Sequence, residues 1–139
     1  MTNCLFCDIA ADAKLRNTIY EDGEIVAFLD IHPINPGHTL IIPRKHSTDI
    51  YDTPKSTLAR IAQLSKDISL KLKKSMGADG ISILQMNEKD GDQEIMHYHL
   101  HVIPRTRGDW FHRDVIAKAS ALQKEIRPNN DNLTGLQPS

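Results

Sequence analysis

Three histidines at alternate positions, His97, His99 and His101, constrain this chain more than any other feature of its sequence. The stretch 96–105 around them is otherwise apolar, β-branched or aromatic, which is typical of a strand about seven residues long that Pro104 closes. Side chains alternate across a strand, so we predict that the three imidazoles share one face, each roughly 7 Å from the next. Because core packing does not call for three imidazoles in a row, the pattern predicts a functional site.

The composition indicates one globular domain and excludes several classes of partner. The 139 residues are 40% hydrophobic, which is enough to bury a core, so we predict a single domain over residues 1–126 and a polar tail over 127–139. The net charge of −1 argues against binding of long nucleic acid and leaves a small anionic ligand open. No apolar window approaches about eighteen residues and no signal sequence is evident, so we expect no membrane association and a cytoplasmic protein.

Turn signals divide the chain into short strands and one long helix. Asp22-Gly23 is typical of a type I′ hairpin turn, Thr53-Pro54 of a helix cap and first turn, and Gly77 of a helix end. The links between strands are too short for crossover helices, which favours an antiparallel sheet. We therefore predict an α+β domain with about five strands, one long helix and shorter terminal helices. The predicted elements are a helical or turn segment at 4–14, strands at 17–21, 24–29, 38–42, 80–87 and 96–104, and a helix from 54 to about 76.

Two kinds of chemistry suit the row of histidines. A neutral imidazole nitrogen is basic near pH 7 and can attack phosphorus, and the resulting phosphohistidine is readily hydrolysed. Such a nucleophile needs a neighbouring imidazole or backbone carbonyl to hold the N–H of its other ring nitrogen. The alternative is a metal site, because His-x-His on a strand also suits zinc.

The only two cysteines, Cys4 and Cys7, predict a second site. In a reducing compartment this Cys-x-x-Cys spacing favours metal or redox chemistry over a structural disulfide. A tetrahedral zinc site with two cysteines needs two further ligands, and His46 and His97 are the natural candidates. Such a closed site would be structural and would tie the N-terminus to the sheet. The alternative is a pair of reduced thiols without a ligand.

The stretch 97–103 resembles the His-φ-His-φ-His-φ-φ motif of the histidine triad (HIT) family of nucleotide hydrolases and transferases, where φ is apolar. The stretches 28–31 and 36–46 resemble the family's second block in order and spacing, and Asn87 with Gln93 resembles its polar turn before the triad. The resemblance covers residues 4–112 and is to the bacterial Hint-like branch with an N-terminal zinc site. It implies a HIT-like fold, normally a homodimer whose two sheets join into one.

The resemblance also implies roles for individual residues. His99 would be the nucleophile that forms a nucleotidyl-enzyme intermediate, His101 would contact the phosphate, and His38 would join the catalytic group. No catalytic metal would be required. The zinc ligands would be Cys4, Cys7, His46 and His97. The nucleotide-binding residues would be Phe28 and Ile31 at the base, Asp30 at the ribose, Asn87 at the phosphate, and Gln93, His99 and His101.

Several of these residues have a simpler interpretation. Asp30 could be no more than the start of an Asx turn, Phe28 a core residue and His38 a structural histidine. His32 and His112 match no position of the motif and are predicted to lie on the surface or behind the site. Trp110 could reach the mouth of the site or serve as a packing anchor.

One position departs from the family pattern. The family usually has Gly-Gln-Ser or Gly-Gln-Thr before the triad, and this chain has Asp92-Gln93-Glu94. A hydroxyl donor is thus replaced by a carboxylate, which only accepts hydrogen bonds and repels a nearby phosphate. Three hypotheses remain: Glu94 turns outward, it recognises a cationic leaving group such as a lysine-like amine, or turnover is slow.

The expected activity is hydrolysis of a purine nucleoside phosphoramidate or related nucleotide at the α-phosphate. One alternative is a dinucleoside polyphosphate hydrolase, which would use the same residues with a larger leaving-group site. Another is a nucleotide-binding regulatory protein with weak turnover. A third is a metal hydrolase in which the triad histidines are ligands.

Overall fold

The computed structural model describes residues 3–12 and 17–109, and their fold is the predicted α+β arrangement. The five strands pair antiparallel in the order β1-β2-β3-β5-β4. No helix within the described ranges is long and apolar enough to cross a membrane. The elements in chain order are α1 (Leu5–Ala11), β1 (Thr18–Glu21), β2 (Ile25–Leu29), β3 (Thr39–Pro43), α2 (Lys55–Met76), β4 (Gly80–Gln85) and β5 (Leu100–Arg105).

Part of the sequence prediction lies outside the described residues. Trp110, His112, the weakly amphipathic stretch up to residue 126 and the tail at 127–139 all belong to that part. The boundary of the domain at residue 126 therefore stays a prediction.

The two faces of the sheet carry two separate hydrophobic clusters. Along β2, Ile25 and Ala27 face α2, whereas Val26 and Phe28 face α1, as the alternation of a strand requires. The strands β2 and β3 are buried on both faces, apart from partly exposed Leu29. The sheet is thus sandwiched between a long helix and a short one.

The hairpin between β1 and β2 forms as predicted, but its turn is of another kind. Gly23 does not have a positive φ, so the type I′ prediction is wrong. The Asp22 carboxylate instead accepts hydrogen bonds from the amides of Glu24 (2.8 Å) and Ile25 (2.9 Å). This Asx-type turn satisfies the backbone through a side chain and therefore needs no left-handed glycine.

The long helix begins one residue later than its predicted cap implies. Pro54 occupies the cap position and α2 starts at Lys55, with no side-chain cap. The Thr53 hydroxyl instead donates to the Asp49 carbonyl and accepts from the Ser47 hydroxyl, so the prediction that Thr53 caps the helix is wrong. Gly77 ends the helix in the left-handed conformation (φ 63°), as predicted.

The strand that contains His101 begins and ends later along the chain than predicted. Its ladder begins at Leu100 and runs through Pro104 to Arg105, so the prediction that Pro104 closes it is wrong. The carbonyl of Pro104 accepts a hydrogen bond from Asn35 Nδ2 (2.9 Å), so this proline stays tied to the structure despite its missing N–H. His97 and His99 precede the ladder because their backbone meets a loop: the amide of Tyr98 donates to the Ser47 carbonyl (2.8 Å).

Candidate active site and metal centre

Histidines lie in two neighbouring groups. The first, which we term the histidine cluster, comprises His38, His99 and His101. The ring centroids of His99 and His101 are 5.0 Å apart, and those of His38 and His101 are 5.1 Å apart. The register between β3 and β5 pairs Leu40 with His101 and so brings His38, immediately before β3, to the triad.

Backbone and ring hydrogen bonds define where the protons lie on two of these rings. The amide of Ile34 donates to His38 Nδ1 (3.1 Å), so the proton of a neutral His38 is on Nε2. That Nε2–H donates to His101 Nδ1 (2.9 Å), which places the His101 proton on its own Nε2. His101 Nε2 is buried and has no hydrogen-bond partner among the side chains that the structure describes. A buried N–H of this kind suits an anionic oxygen.

The third ring, His99, has the opposite arrangement. Its Nδ1–H donates to the carbonyl of His97 (2.7 Å), so the lone pair is on Nε2. This backbone carbonyl supplies the support that a nucleophilic imidazole requires. His99 thus offers a lone pair where His101 offers a proton.

Burial keeps all three rings neutral at pH 7. Desolvation lowers the pKa of His38 and His99 below the usual 6.5. It lowers the pKa of His101 to about 4, with further contributions from His99 and His38. The carboxylates of Asp30 and Glu94 oppose the effect at His99. A neutral His99 keeps the lone pair that attack on phosphorus needs.

The loop before β3 places Asp30 beside the cluster. Its Oδ1 accepts a hydrogen bond from the amide of His32 (2.9 Å), which is the Asx turn that the sequence left as an alternative. Its Oδ2 lies 3.6 Å from His38 Nε2. One carboxylate oxygen is therefore used by the turn and the other faces the cluster, while the side chain of His32 is exposed, as predicted.

The two predicted base-pocket residues lie in different environments. Phe28 is buried and packs edge-on against Phe6 (5.5 Å between ring centroids) in the core beneath α1. Ile31 is 56% exposed. In this arrangement Phe28 supports the site from below, and Ile31 is on the surface next to Asp30.

The two predicted polar residues of the loop before the triad hold loops together. Asn87 exchanges two side-chain hydrogen bonds with Gln85 (2.7 and 2.8 Å) and also accepts from the amide of Ile50. Gln93 is buried, and its Nε2 donates to the carbonyls of Thr48 and Ile95. Their predicted contacts with a nucleotide stay predictions.

The second group is the metal cluster, which comprises Cys4, Cys7, His46 and His97. The distance between His46 Nδ1 and His97 Nδ1 is 3.2 Å, and both Sγ atoms lie 3.4 Å from His97 Nδ1. A tetrahedral zinc ion with two sulfur and two nitrogen ligands separates its donor atoms by about 3.3 to 3.8 Å. The four predicted ligands therefore fit such an ion.

Hydrogen bonds around this cluster favour metal binding. His97 Nε2–H donates to the carbonyl of Pro43 (2.8 Å), which leaves the Nδ1 lone pair directed at the cysteines. Desolvation and the neighbouring Cys4 raise the pKa of Cys7 to about 11. Two adjacent thiolates therefore need a cation beside them, and a thiol-rich cluster of this kind supplies zinc with its preferred ligands.

Asp30, His38 and His101 also converge closely enough to hold an ion, and would form a catalytic metal site on geometry alone. The protons argue against it. His38 Nδ1 is engaged by the amide of Ile34, so its Nε2 carries a proton and has no lone pair for a cation. The donor set of this group does not fit a metal.

Sequence reasoning missed two residues of the site. Phe6 lies edge-on to the rings of His97 (6.0 Å) and His99 (5.1 Å), and Asn35 ties the loop that carries His38 to β5. The position of Phe6 between the two cysteines is a signal that could have found it. Nothing in the pattern around Asn35 distinguishes it from an ordinary turn residue.

Comparison with known proteins agrees with this site. A HIT domain model matches residues 13–108, so this chain belongs to the HIT family, part of a superfamily of nucleotide-binding hydrolases and transferases. A Zn-bound histidine triad family protein from Mycobacterium smegmatis is 38% identical, with a TM-score of 0.74 and 78% of each chain covered.

Two further solved structures are similar. A hypothetical histidine triad nucleotide-binding protein from Sulfolobus tokodaii is 38% identical, with a TM-score of 0.72 over 76% of this chain and 71% of that one. A HIT family hydrolase from Legionella pneumophila is 35% identical, with a TM-score of 0.67 over 78% of this chain and 97% of that one.

Proposed function

We propose that this protein hydrolyses purine nucleoside phosphoramidates or related nucleotides at the α-phosphate, through a nucleotidyl-histidine intermediate. The placement of protons in the histidine cluster is the observation that carries the proposal. His99 Nε2 has a lone pair, and His101 Nε2–H, on the adjacent ring, is a buried donor without a partner among the described side chains. A nucleophile beside a donor for phosphoryl oxygen is the minimal apparatus for this chemistry.

The reaction has two steps. In the first, the His99 Nε2 lone pair forms a bond to the α-phosphorus while the bond from phosphorus to the leaving nitrogen or oxygen breaks. The leaving group keeps that electron pair and takes up one proton. In the second step, water attacks the phosphorus, the bond to Nε2 breaks, and the water gives up one proton. His101 Nε2–H donates to a phosphoryl oxygen in both steps, and His99 Nδ1–H stays on the His97 carbonyl.

The nucleotide is bound by groups next to this cluster. The Asp30 carboxylate accepts hydrogen bonds from the ribose hydroxyls, and Ile31 contributes apolar surface to the base, with Phe28 behind it. Asn87 donates to the phosphate through an amide hydrogen that its pairing with Gln85 leaves available. These contacts are supported by the position of Asp30 beside His38 and by the exposure of Ile31.

The metal cluster binds a structural zinc ion in this proposal. Cys4, Cys7, His46 and His97 hold it, and the ion joins the N-terminal helix to the sheet. The fit of the four donor atoms and the zinc in the similar Mycobacterium smegmatis protein support this assignment. Thiolate ligands of this kind persist in a reducing compartment, in agreement with the expected cytoplasmic location.

The protein is proposed to act as a homodimer. β4 forms one edge of the sheet, and Ile83 on it is 48% exposed. Pairing with a second copy along an edge would continue the sheet and cover unpaired backbone groups.

A second candidate function, nucleotide binding with weak turnover, is favoured by Glu94. This side chain is exposed, and its carboxylate is close enough to His99 to oppose, as the smallest of three contributions, the lowering of the pKa of that ring by burial. A carboxylate at such a position repels the phosphate of any substrate. It attracts a leaving group that is cationic, and it gives no such compensation when the leaving group is neutral.

The proposal is tested by turnover of an adenosine phosphoramidate. The variants are His99→Ala and, as a matched control, His32→Ala, which removes an exposed imidazole outside the cluster. We expect His99→Ala to lose turnover by at least about 10³-fold and His32→Ala to keep it. Quenching with denaturant at neutral pH preserves an acid-labile phosphorus–nitrogen bond, so the intact mass of the wild type should rise by one nucleotidyl group.

The alternatives give different results. A wild type that binds AMP but neither turns over nor gains mass is a binding protein. Turnover of a lysyl phosphoramidate in preference to a neutral one, lost in Glu94→Ser, would assign Glu94 to the leaving group. Persistence of turnover in His99→Ala would overturn the proposed mechanism.

A further inference from the structure

The nucleophile and the metal cluster meet through two direct contacts. Phe6 is 3% exposed, and its ring lies edge-on to the rings of both His99 and His97. His99 Nδ1–H is bonded to the carbonyl of His97, whose imidazole faces the cysteines. In the chain, Phe6 stands between the ligands Cys4 and Cys7. The groups that orient His99 therefore belong to the same segments that carry the metal ligands.

These segments depend on the cluster for their rigidity. The helix α1, which carries Phe6, has seven residues, and a helix of this length is not stable on its own. Its last turn is held by Arg44, which donates to the carbonyl of Ala10 and to that of Asp22. Its first turn contains Cys7 and follows Cys4, so the ligands are the corresponding attachment at the other end.

We propose that Phe6 is a positioning residue for the nucleophile. A metal ion at Cys4, Cys7, His46 and His97 fixes Phe6 and the His97 carbonyl, and these two groups together hold the His99 ring in the orientation for attack. Phe6 does not touch the substrate and acts only through His99. The inference rests on the proposed function for its kinetic consequence, whereas the orientation of His99 is measurable without any substrate.

The physical basis is the narrow tolerance of a reacting geometry. Aromatic rings in edge-on contact resist rotation because the positive edge of one faces the negative face of the other. The bond from Nδ1–H to a carbonyl leaves rotation about that bond open, so a second contact is needed to define the plane of the ring. A displacement of about 1 Å at a reacting group costs on the order of 10²-fold in rate.

The test compares Phe6→Leu with Ile9→Ala in the metal-loaded protein. Ile9 is fully buried on the same helix and in the same hydrophobic cluster, so its truncation removes core packing of α1 from another position. Three quantities are measured: bound zinc per chain, the exchange rate of the His99 Nδ1 proton by NMR, and kcat and KM with an adenosine phosphoramidate. The proton resonance is assigned by its loss in His99→Gln.

We expect Phe6→Leu to keep one zinc per chain, to exchange the Nδ1 proton at least about tenfold faster, and to lose about 10- to 100-fold in kcat with KM within about threefold. Ile9→Ala should keep the wild-type exchange rate and kcat. Removal of zinc from the wild type should reproduce the effect of Phe6→Leu on the exchange rate. If the chelated protein unfolds, the exchange rate and kcat of the zinc-loaded Phe6→Leu protein are sufficient to test the proposal.

Two outcomes would overturn the inference. One is a zinc-loaded Phe6→Leu protein with wild-type exchange and kcat, and the other is an equal loss in Ile9→Ala, which would indicate general loosening of α1. A wild type without turnover would refute the proposed function alone, because the exchange rate would still report on Phe6. Wild-type turnover with an exchange rate insensitive to Phe6 would refute the positioning role alone.

Discussion

His97 of the metal cluster and His38 of the histidine cluster are both buried imidazoles, yet they suit opposite chemistry. His97 Nε2–H donates a hydrogen bond to the Pro43 carbonyl, and the lone pair on Nδ1 faces two sulfur atoms. His38 Nδ1 accepts a hydrogen bond from the Ile34 amide, and its Nε2–H donates to His101 Nδ1. The difference teaches that a backbone carbonyl or a backbone amide behind an imidazole decides whether its front binds a cation or an anion.

Replacing His97 should have the largest effect, because this residue belongs to both clusters. His97→Ala removes a metal ligand and a buried ring, and it frees the backbone whose carbonyl holds His99. We expect the free energy of unfolding to fall by about 3 to 5 kcal/mol and turnover to fall by at least about 10²-fold. Denaturant unfolding, zinc content and turnover measure the three consequences. An unchanged zinc content would contradict the ligand assignment, and His32→Ala is the control.

Removing the metal should lower the stability of the fold without changing the affinity for a nucleotide. With zinc at about a thousand times its dissociation constant, binding contributes about 4 kcal/mol to the folded state, and chelation should lower the free energy of unfolding by this amount. AMP affinity should change by no more than about threefold, because none of the four metal ligands belongs to the histidine cluster. Thermal unfolding and AMP titration before and after chelation test this. Loss of AMP binding on chelation, restored only by added zinc, would contradict this prediction.

The sequence predicted which residues lie together in each cluster and the kind of partner that His99 Nδ1 needs, but not which ring nitrogens of His38, His97 and His101 carry the proton. The Cys-x-x-Cys spacing and the need of a tetrahedral ion for two further ligands predicted the group of Cys4, Cys7, His46 and His97, whose donor atoms lie together. The backbone partner of His97 Nε2 is far along the chain, because Pro43 lies 54 residues from His97. A pattern of side chains carries no information about that pairing.

The fold shows the same division between strong and weak signals. The helical period and Gly77 defined α2 because many residues contribute to a long helix. A local side-chain hydrogen bond overrode the propensity of Asp22-Gly23, and a loop contact at Tyr98 delayed the start of β5. Single contacts of this kind do not produce a periodic pattern in the sequence and so cannot be predicted from one.

The loop that carries His38 offers a test confined to the histidine cluster. Gly37 has φ +95°, and a Cβ built there would lie 2.6 Å from Met76 Sδ and 3.0 Å from Leu72 Cδ2. We expect Gly37→Ala to lower the free energy of unfolding by about 2 kcal/mol and to reduce turnover while leaving zinc content unchanged. Chemical denaturation checks the stability. Gly23→Ala is the control, because its Cβ meets nothing within 4 Å.

Backbone strain between β4 and the triad gives a smaller effect of opposite sign. Glu88 has φ 67° and ψ 164°, a combination that is essentially confined to glycine, and Gln93 Oε1 holds its amide in place. We expect Glu88→Gly to stabilise the fold by about 1 to 2 kcal/mol, measured by denaturant unfolding. Asp92 is left-handed at φ 69° and ψ 21°, where aspartate is tolerated, so Asp92→Gly should change stability by less than about 0.5 kcal/mol. Equal effects of the two would refute the assignment of strain to Glu88.

The smallest expected effect is the pH dependence of the histidine cluster. Burial holds the pKa of His38 and His101 below 6.5, and the nearby Asp30 carboxylate opposes this while His99 reinforces it at His101. Above pH 6.5 both folded and unfolded states carry neutral rings, so stability is constant. As pH falls from 6.5 toward about 4, these rings bind protons in the unfolded chain but stay neutral in the folded one. The unfolded state is therefore favoured, and stability is lost. We expect about 1 kcal/mol between pH 6.5 and 5, allowing for solvent screening.

The pH measurement uses urea unfolding of the wild type and of His101→Gln, which keeps a hydrogen-bonding side chain without the titration. The variant should lose part of the slope between pH 6.5 and 5. Both proteins are compared at saturating zinc, so that the contribution of the metal cluster is the same in the two and cancels. Equal slopes would mean that His101 binds a proton as readily in the folded state as in the unfolded chain, so that below pH 6.5 its Nδ1 would carry a proton and could not accept from His38. That result would remove the ordered protons on which the contrast between the two clusters depends.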